Sequence, residues 1–205
     1  MNKHFTPLVA ALLLTAPLLS ATAQAAGDAE AGKAKSATCL ACHGADGNSA
    51  NPIWPKLAGQ ASNYIVDQLT KFKSGARQDP LMAPMAAPLS EQDMADLAAY
   101  FSSQTRSTGT AAAEQVQLGQ LLYRAGNSSN GLAACASCHG PDGSGNPAAN
   151  FPSLKGQHAA YVEKALKDYR AGSRSTDPNK MMRDTASKLS DAEIAAVAQY
   201  VQGLR

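Results

Sequence analysis

The chain is short of the residues that usually build a small core. Aromatic side chains are 5% of its 205 residues, and there is one tryptophan. Charge of one sign is also lacking: 18 Lys and Arg against 16 Asp and Glu leave a formal +2, without the basic surplus of a nucleic-acid surface. Residues 26–108 hold seven cations and eight anions, and residues 109–205 hold ten and eight, so the asymmetry is mild. Histidine occurs four times and cysteine four times, and all four cysteines sit in two C-x-x-C pairs.

Long apolar runs are missing too, apart from one near the N-terminus. Lys3 and His4 precede "PLVAALLLTAPLLSA", then "TAQAAG", with Ala23 and Ala25 at small-residue positions. This is the layout of a secretory signal peptide cleaved after Ala25. A permanent anchor is the competing reading, but the run is short for a span and Pro17 interrupts it. Residues 26–205 are therefore expected outside the cytoplasm, where paired thiols oxidise unless something else consumes the sulfur.

What is present is present twice. "CLACHGADGNSANPIWPKLAGQ", residues 39–60, is echoed by "CASCHGPDGSGNPAANFPSLKGQ", residues 135–157. Cys39, Cys42 and His43 match Cys135, Cys138 and His139 at an offset of 96. Pro55, Leu57, Gly59, Gln60, Tyr64, Gly75 and Arg77 match Pro152, Leu154, Gly156, Gln157, Tyr161, Gly172 and Arg174 at 97. Leu89 and Ser90 match Leu189 and Ser190 at 100, so small insertions separate the copies. The period is too long for a solenoid and reads as a duplicated globular domain. The expected division is a leader, 1–25; a first domain, 26–101; a small, polar linker, 102–113; and a second domain, 114–205.

Each copy reads as all-α. Residues 28–39 and 114–125 suit a first helix. "ASNYIVDQLTKFKSG" sets Tyr64, Ile65, Gln68, Leu69 and Phe72 on one face, with Gly75 as a stop; its twin sets Tyr161, Val162, Ala165, Leu166 and Tyr169, before Gly172. "SEQD" and "SDAE" are capping boxes opening a last helix. Behind them Met94, Leu97, Ala98 and Phe101, or Ile194, Val197, Ala198 and Val201, form an i, i+3, i+4, i+7 stripe. Domains of this size bury a limited fraction of their surface and usually need a staple.

The C-x-x-C-H phrase supplies one. Cysteines three apart on a helix share a face, and the next residue lies beside them. Two thiols can add to the vinyl groups of a haem while the imidazole binds its iron, the attachment pattern of c-type haem. A thioredoxin-like pair would need a βαβ setting, a zinc site four close ligands, and a plain disulfide leaves the histidine unexplained. Two c-type haems are expected, one per domain, held by Cys39, Cys42, Cys135 and Cys138, with His43 and His139 on the irons.

The opposite axial ligand can be read from the repeat. After the leader is removed, only His158 remains beyond the two motif histidines. It aligns with Ala61 at the start of a helix, where a surface role is expected. Methionine is the alternative. Met82 and Met182 each lie seven residues before the Leu-Ser landmark and are the only methionines that coincide; Met85 aligns with Thr185, Met181 with Leu81 and Met94 with Ile194. His43/Met82 and His139/Met182 are the expected pairs, and a thioether favours reduced iron. A carbonyl near Pro55 and Pro152 is a candidate acceptor for the second imidazole N–H, although the prolines could simply shape the loop. Arg77, Arg174, Tyr64, Tyr161 and Trp54 could meet haem propionates, or be solvated and core residues.

The doubled C-x-x-C-H, "PKLAGQ" and "PSLKGQ", "MAPMAAPLS" and "MRDTASKLS", and the start "AGDAEAG" together resemble the dihaem cytochrome c4 family along essentially the whole of residues 26–205. The resemblance implies two class I cytochrome c domains whose haem propionate edges face each other across a pseudo-twofold. It also implies axial methionines at Met82 and Met182. It further implies a periplasmic electron carrier, soluble or loosely membrane-associated, taking electrons from a donor such as a quinol-oxidising complex and passing them toward a terminal oxidase. An electron-transfer protein rather than an enzyme is thus expected. A haem enzyme of the peroxidase or sulfur-compound dehydrogenase type would need one displaceable axial ligand.

Overall fold

A computed structural model of the chain describes Met1 and residues 26–205; the expected leader and its cleavage point lie outside the described residues. Among those residues there is no strand, only isolated bridges between Asn127 and Leu132 and between Asn146 and Phe151. The expected all-α class holds. The first half contains α1 (Ala29–Lys35), α2 (Leu40–His43), α3 (Ser62–Lys73), α4 (Met82–Ala86) and α5 (Glu91–Ser102). The second repeats them as α6 (Ala113–Ala125), α7 (Ala136–His139), α8 (Ala159–Ala171), α9 (Met181–Ala186) and α10 (Asp191–Gly203).

Local chemistry sets most of these boundaries. The Asp28 carboxylate accepts the Glu30 and Ala31 amides and starts α1. Both capping boxes form, Ser90 with Asp93 on α5 and Ser190 with Glu193 on α10. The helix expected over 28–39 divides instead: α1 ends at Lys35, and a 3-10 turn, Ser36–Thr38, hands over to α2. In the second half α6 ends at Gly126, whose φ of 71° suits glycine, and a loop closed by the Asn127–Leu132 bridge precedes α7. That loop has no counterpart in the first half.

In each half the first helix crosses the last, α1 on α5 and α6 on α10. A glycine sits at both crossings. A Cβ on Gly32 would lie 2.0 Å from the Asp96 carbonyl oxygen, and one on Gly119 2.2 Å from that of Ala196. Behind the crossing the expected stripes are buried: Met94, Leu97, Ala98 and Phe101 on α5; Ile194, Val197, Ala198 and Val201 on α10. Ile65 of α3 packs on the first set, and Val162 of α8 with Tyr123 of α6 on the second.

The halves are joined by reciprocal contacts that the repeat explains. Lys56 and Ser153 occupy equivalent positions, as do Gln60 and Gln157. The Gln60 amide accepts Ser153 N–H at 2.8 Å and donates to Ser153 O at 3.0 Å. The Gln157 amide does the same to Lys56, at 2.8 and 2.9 Å. Exchange of equivalent contacts in both directions is the signature of an isologous, twofold-like interface.

The segment between α5 and α6 is strapped to that interface. Arg106 donates from Nε to Ala58 O at 2.7 Å, and from its guanidinium to Ser153 O and Lys155 O at 3.2 and 3.1 Å. Ser107 N–H reaches Asn48 Oδ1 at 2.8 Å. A stretch whose composition suggests pliancy is thus pinned to both halves. His158 also departs from expectation: its Nε2 lies 2.8 Å from Ser49 O across the interface. It is an inter-half contact, because the helix start that would face solvent in a lone domain faces the other copy.

Candidate functional site

Each C-x-x-C-H phrase closes one helical turn. His43 N–H bonds Cys39 O at 2.9 Å, and His139 N–H bonds Cys135 O at 2.9 Å, which puts both thiols and the imidazole of each motif on one short scaffold. All four cysteines are free of disulfides, so the i, i+3 thiols remain available for another bond. Burial pushes the Cys39 thiol up, and that of Cys135 to about 11, because desolvation disfavours the thiolate.

Both motif histidines are buried, His43 at 6% and His139 at 7% exposure. Their Nδ1 atoms lie 2.8 Å from Pro55 O and 2.9 Å from Pro152 O. A carbonyl can only accept, so Nδ1 carries the proton and Nε2 is left with its lone pair free. Burial lowers both imidazole pKa values and favours the neutral, ligating form. The proline carbonyls expected near residues 55 and 152 are therefore the imidazole acceptors in both copies.

The methionines divide by environment. Met82 opens α4 and Met182 lies in the first turn of α9, and both are partly buried. Met85 and Met181 are exposed, at 49% and 38%. Met94 is buried, and its sulfur accepts the Thr70 hydroxyl at 3.6 Å, so it belongs to the core.

Between the halves lies a cationic cluster with crossed partners. Arg77 of the first half donates to Tyr161 Oη of the second at 3.3 Å, and Arg174 of the second donates to Tyr64 Oη of the first at 2.9 Å. Both guanidinium groups also donate to Gln68 Oε1, at 2.6 and 3.0 Å. They stack on Phe72 and Tyr169, at 4.5 and 4.6 Å from the ring centroids. No carboxylate pairs with either arginine among the described residues, and the buried Arg174 Nε has no partner. Burial alone would raise the Tyr161 hydroxyl, but Arg77 and Arg174 overcome it and bring it down to about 8. A buried, uncompensated cation such as Arg174, with half-buried Arg77 beside it, calls for an anion. Trp54 makes no hydrogen bond to this cluster among the described residues; its carbonyl accepts Ser49 Oγ at 2.7 Å.

The donor set fits haem. Paired free thiols, a neutral imidazole with Nε2 open, and one buried and one half-buried guanidinium lacking carboxylates match the vinyl edge, the iron and the propionates of that group. Sequence reasoning missed Gln68, Arg106 and the function of the two glutamines. The repeated Gly-Gln ending was visible in the repeat, but Gln68 aligns with Ala165 and carried no such signal.

The family model for cytochrome c matches residues 29–105 and again 116–205. The chain is 52% identical over 186 residues to cytochrome c4 of Thiocapsa roseopersicina, covering 90% of this chain and 96% of that one. It is 43% identical to a thiosulfate dehydrogenase electron acceptor of Thiomonas intermedia, covering 82% of this chain and 78% of the relative. The crystal structure of reduced cytochrome c4 from Pseudomonas stutzeri superposes with a TM-score of 0.86 at 48% identity, covering 88% of this chain and all of that one. The chain belongs to the cytochrome c4 family of electron-transfer proteins, with two c-type haems, one on each of its cytochrome c domains.

Proposed function

We propose that this chain is a periplasmic relay whose two irons are each closed by a histidine and a methionine, His43 with Met82 and His139 with Met182, and which passes electrons toward a terminal oxidase. The observation that carries the reading is the coincidence of sequence and environment at the two methionines. They alone share a register between the copies, and both are partly buried at the start of a short helix packed on α3 or α8. Met85, Met181 and Met94 fail one test or the other.

When bound, the group supplies reversible one-electron chemistry at iron. The protein's part is to hold it so that the charge changes with little rearrangement. Cys39 with Cys42, and Cys135 with Cys138, would fix it covalently. The Pro55 and Pro152 carbonyls hold each imidazole in one orientation and raise its basicity. Arg77, Arg174, Tyr64 and Tyr161 would receive its carboxylates at the domain boundary. The Met82 and Met182 thioethers would favour the reduced metal and raise the potential.

Periplasmic location follows from the leader expected at residues 1–25, and the 26–101, 102–113 and 114–205 division from the repeat. Among the described residues no helix is long and apolar enough to cross a membrane. A relative named for accepting electrons from a thiosulfate dehydrogenase supports the receiving half of the relay. The test is the weak near-infrared sulfur-to-iron charge-transfer band of the oxidised protein, quantified per haem. Two equivalents are expected. One or none means an iron left open or closed by another ligand, and would turn the reading toward a haem enzyme.

A further inference from the structure

The two methionine-bearing segments differ in a way the duplication makes legible. The first reads Asp79-Pro80-Leu81-Met82 and the second Asp177-Pro178-Asn179-Lys180-Met181-Met182. Two residues, Asn179 and Lys180, are thus inserted between the proline and the methionine. They are two of the three non-glycine residues with positive φ among those described, at 52° and 59°; the third is Asn150. Asparagine visits that region readily and lysine does not, so Lys180 is held there against its own preference. Backbone strain retained at one residue points to a use for its side chain.

The charges around the insertion leave Lys180 available. Buried Asp177 takes Arg183, accepting its Nε at 2.8 Å and its backbone N–H at 3.0 Å. Lys188 Nζ is turned onto Gly131 O at 2.6 Å. Lys180 is exposed and makes no ion pair among the described residues. Beside it Met181 exposes 38% of its surface, and Asp184 is the one other exposed charge of α9. The first half offers the opposite chemistry: no Lys or Arg occurs from residue 78 to 105, and Leu81 and Met85 stand 62% and 49% exposed beside Met82.

We propose that the Asn179–Lys180–Met181 edge is the docking face for one redox partner, a protein presenting carboxylates around an apolar centre. Lys180 is the charged anchor and Met181 the apolar contact. The reading rests on the relay proposed above and assigns the second domain as the end that meets an acidic partner. A free cation beside an apolar contact steers encounter and fixes orientation, which is what a short-lived electron-transfer complex needs.

The test uses the dihaem protein on gold carrying a mixed carboxylate- and methyl-terminated monolayer, with adsorption and interfacial electron transfer measured against ionic strength. Lys180→Asn removes the charge while supplying a residue that tolerates the same backbone. Lys33→Gln removes an equal charge from exposed α1 in the first half. Lys180→Asn is expected to lower the low-salt rate by roughly three- to tenfold and flatten its salt dependence, with Lys33→Gln within about twofold of the parent. Lys180→Asn should also melt no lower than the parent, since the strained lysine is gone. Equal losses in the two variants would reduce the effect to net charge and overturn the proposal. So would a Lys180→Asn variant that keeps its rate on the monolayer but loses binding to phosphatidylglycerol vesicles, because the face would then be for lipid. The near-infrared bands separate the two readings. If the parent lacks one, the relay has failed; if both persist in Lys180→Asn at unchanged rate, only the docking face has.

Discussion

Removing the Gln60 amide should loosen the union of the two halves without touching either haem pocket. Gln60 Oε1 accepts Ser153 N–H at 2.8 Å and Ala61 N–H at 3.0 Å, and Nε2 donates to Ser153 O at 3.0 Å. In Gln60→Ala the Ser153 carbonyl keeps Arg106 at 3.2 Å, and the partly exposed Ala61 amide can find water. Ser153 N–H, at 9% residue exposure, is left without a partner. One orphaned buried donor costs about 1–3 kcal/mol. The vacated side-chain volume adds about 1 kcal/mol. A total of about 2–4 kcal/mol falls on the contact between domains, corresponding to roughly 4–16 °C in Tm for a chain of this size. Calorimetry of the dihaem protein should therefore show the transition lowered or split in two, with the near-infrared bands unchanged. Gln60→Glu makes a sharper version. Its carboxylate can still accept, but it faces the Ser153 carbonyl, so its pKa is raised in the folded state and the variant should regain stability as pH falls and a donor returns. A Gln60→Ala protein that melts in one transition within about 1 °C of the parent would refute the reasoning.

The ligand assignment predicts that Met82→Ala and Met182→Ala each remove one equivalent of the near-infrared band and lower that haem's potential, while Met85→Ala removes none; loss in Met85→Ala would show the wrong methionine was chosen. Gly32→Ala drives a methyl to 2.0 Å from a helix carbonyl and should cost about 3 kcal/mol or more, seen as a lowered denaturation midpoint with α1 forced off α5. On the proposed placement of the haem carboxylates, Arg174→Gln removes a buried cation beside them, which favours the oxidised state and should lower at least one potential in a redox titration; Arg174→Lys should restore it only in part, because an ammonium lacks the planar fork. Asp96 accepts Asp28 N–H, Lys35 Nζ and Gln92 Nε2, and these bonds bring its pKa down to about 2. Its contribution is present above the unfolded value near 3.8 and is lost as pH falls through about 2. Asp96→Asn should therefore flatten acid unfolding between those values.

The sequence made legible whatever is encoded by local spacing. The stripes on α5 and α10, the two capping boxes and the C-x-x-C-H turns depend on neighbours within a few residues, and a reading along the chain finds them. The repeat extended that reach. It singled out Met82 and Met182, and pointed to a carbonyl near Pro55 and Pro152 for each imidazole. What escaped were contacts between the halves, where a pattern inside one copy carries no information about the other. His158 looked exposed because a lone domain would leave it so. Arg106 looked like linker because its partners are backbone carbonyls, which have no sequence signature.

The Gly-Gln endings show how symmetry answers a question that one copy cannot pose. Within either half, Gln60 or Gln157 is a polar residue opening a helix, and nothing local requires it to be glutamine. An amide is the side chain that can accept from a peptide N–H and donate to the same residue's C=O, as Gln60 does to Ser153 and Gln157 to Lys56. A duplicated domain that associates with its own copy must satisfy this contact twice, so the selected residue recurs at both ends of the repeat. Agreement between the copies therefore marks what pocket and interface share, and disagreement marks where the two halves differ. Gln68, which accepts both arginines where Ala165 could accept neither, and Lys180, inserted where Pro80 runs straight into Leu81, are two of the places where the halves differ.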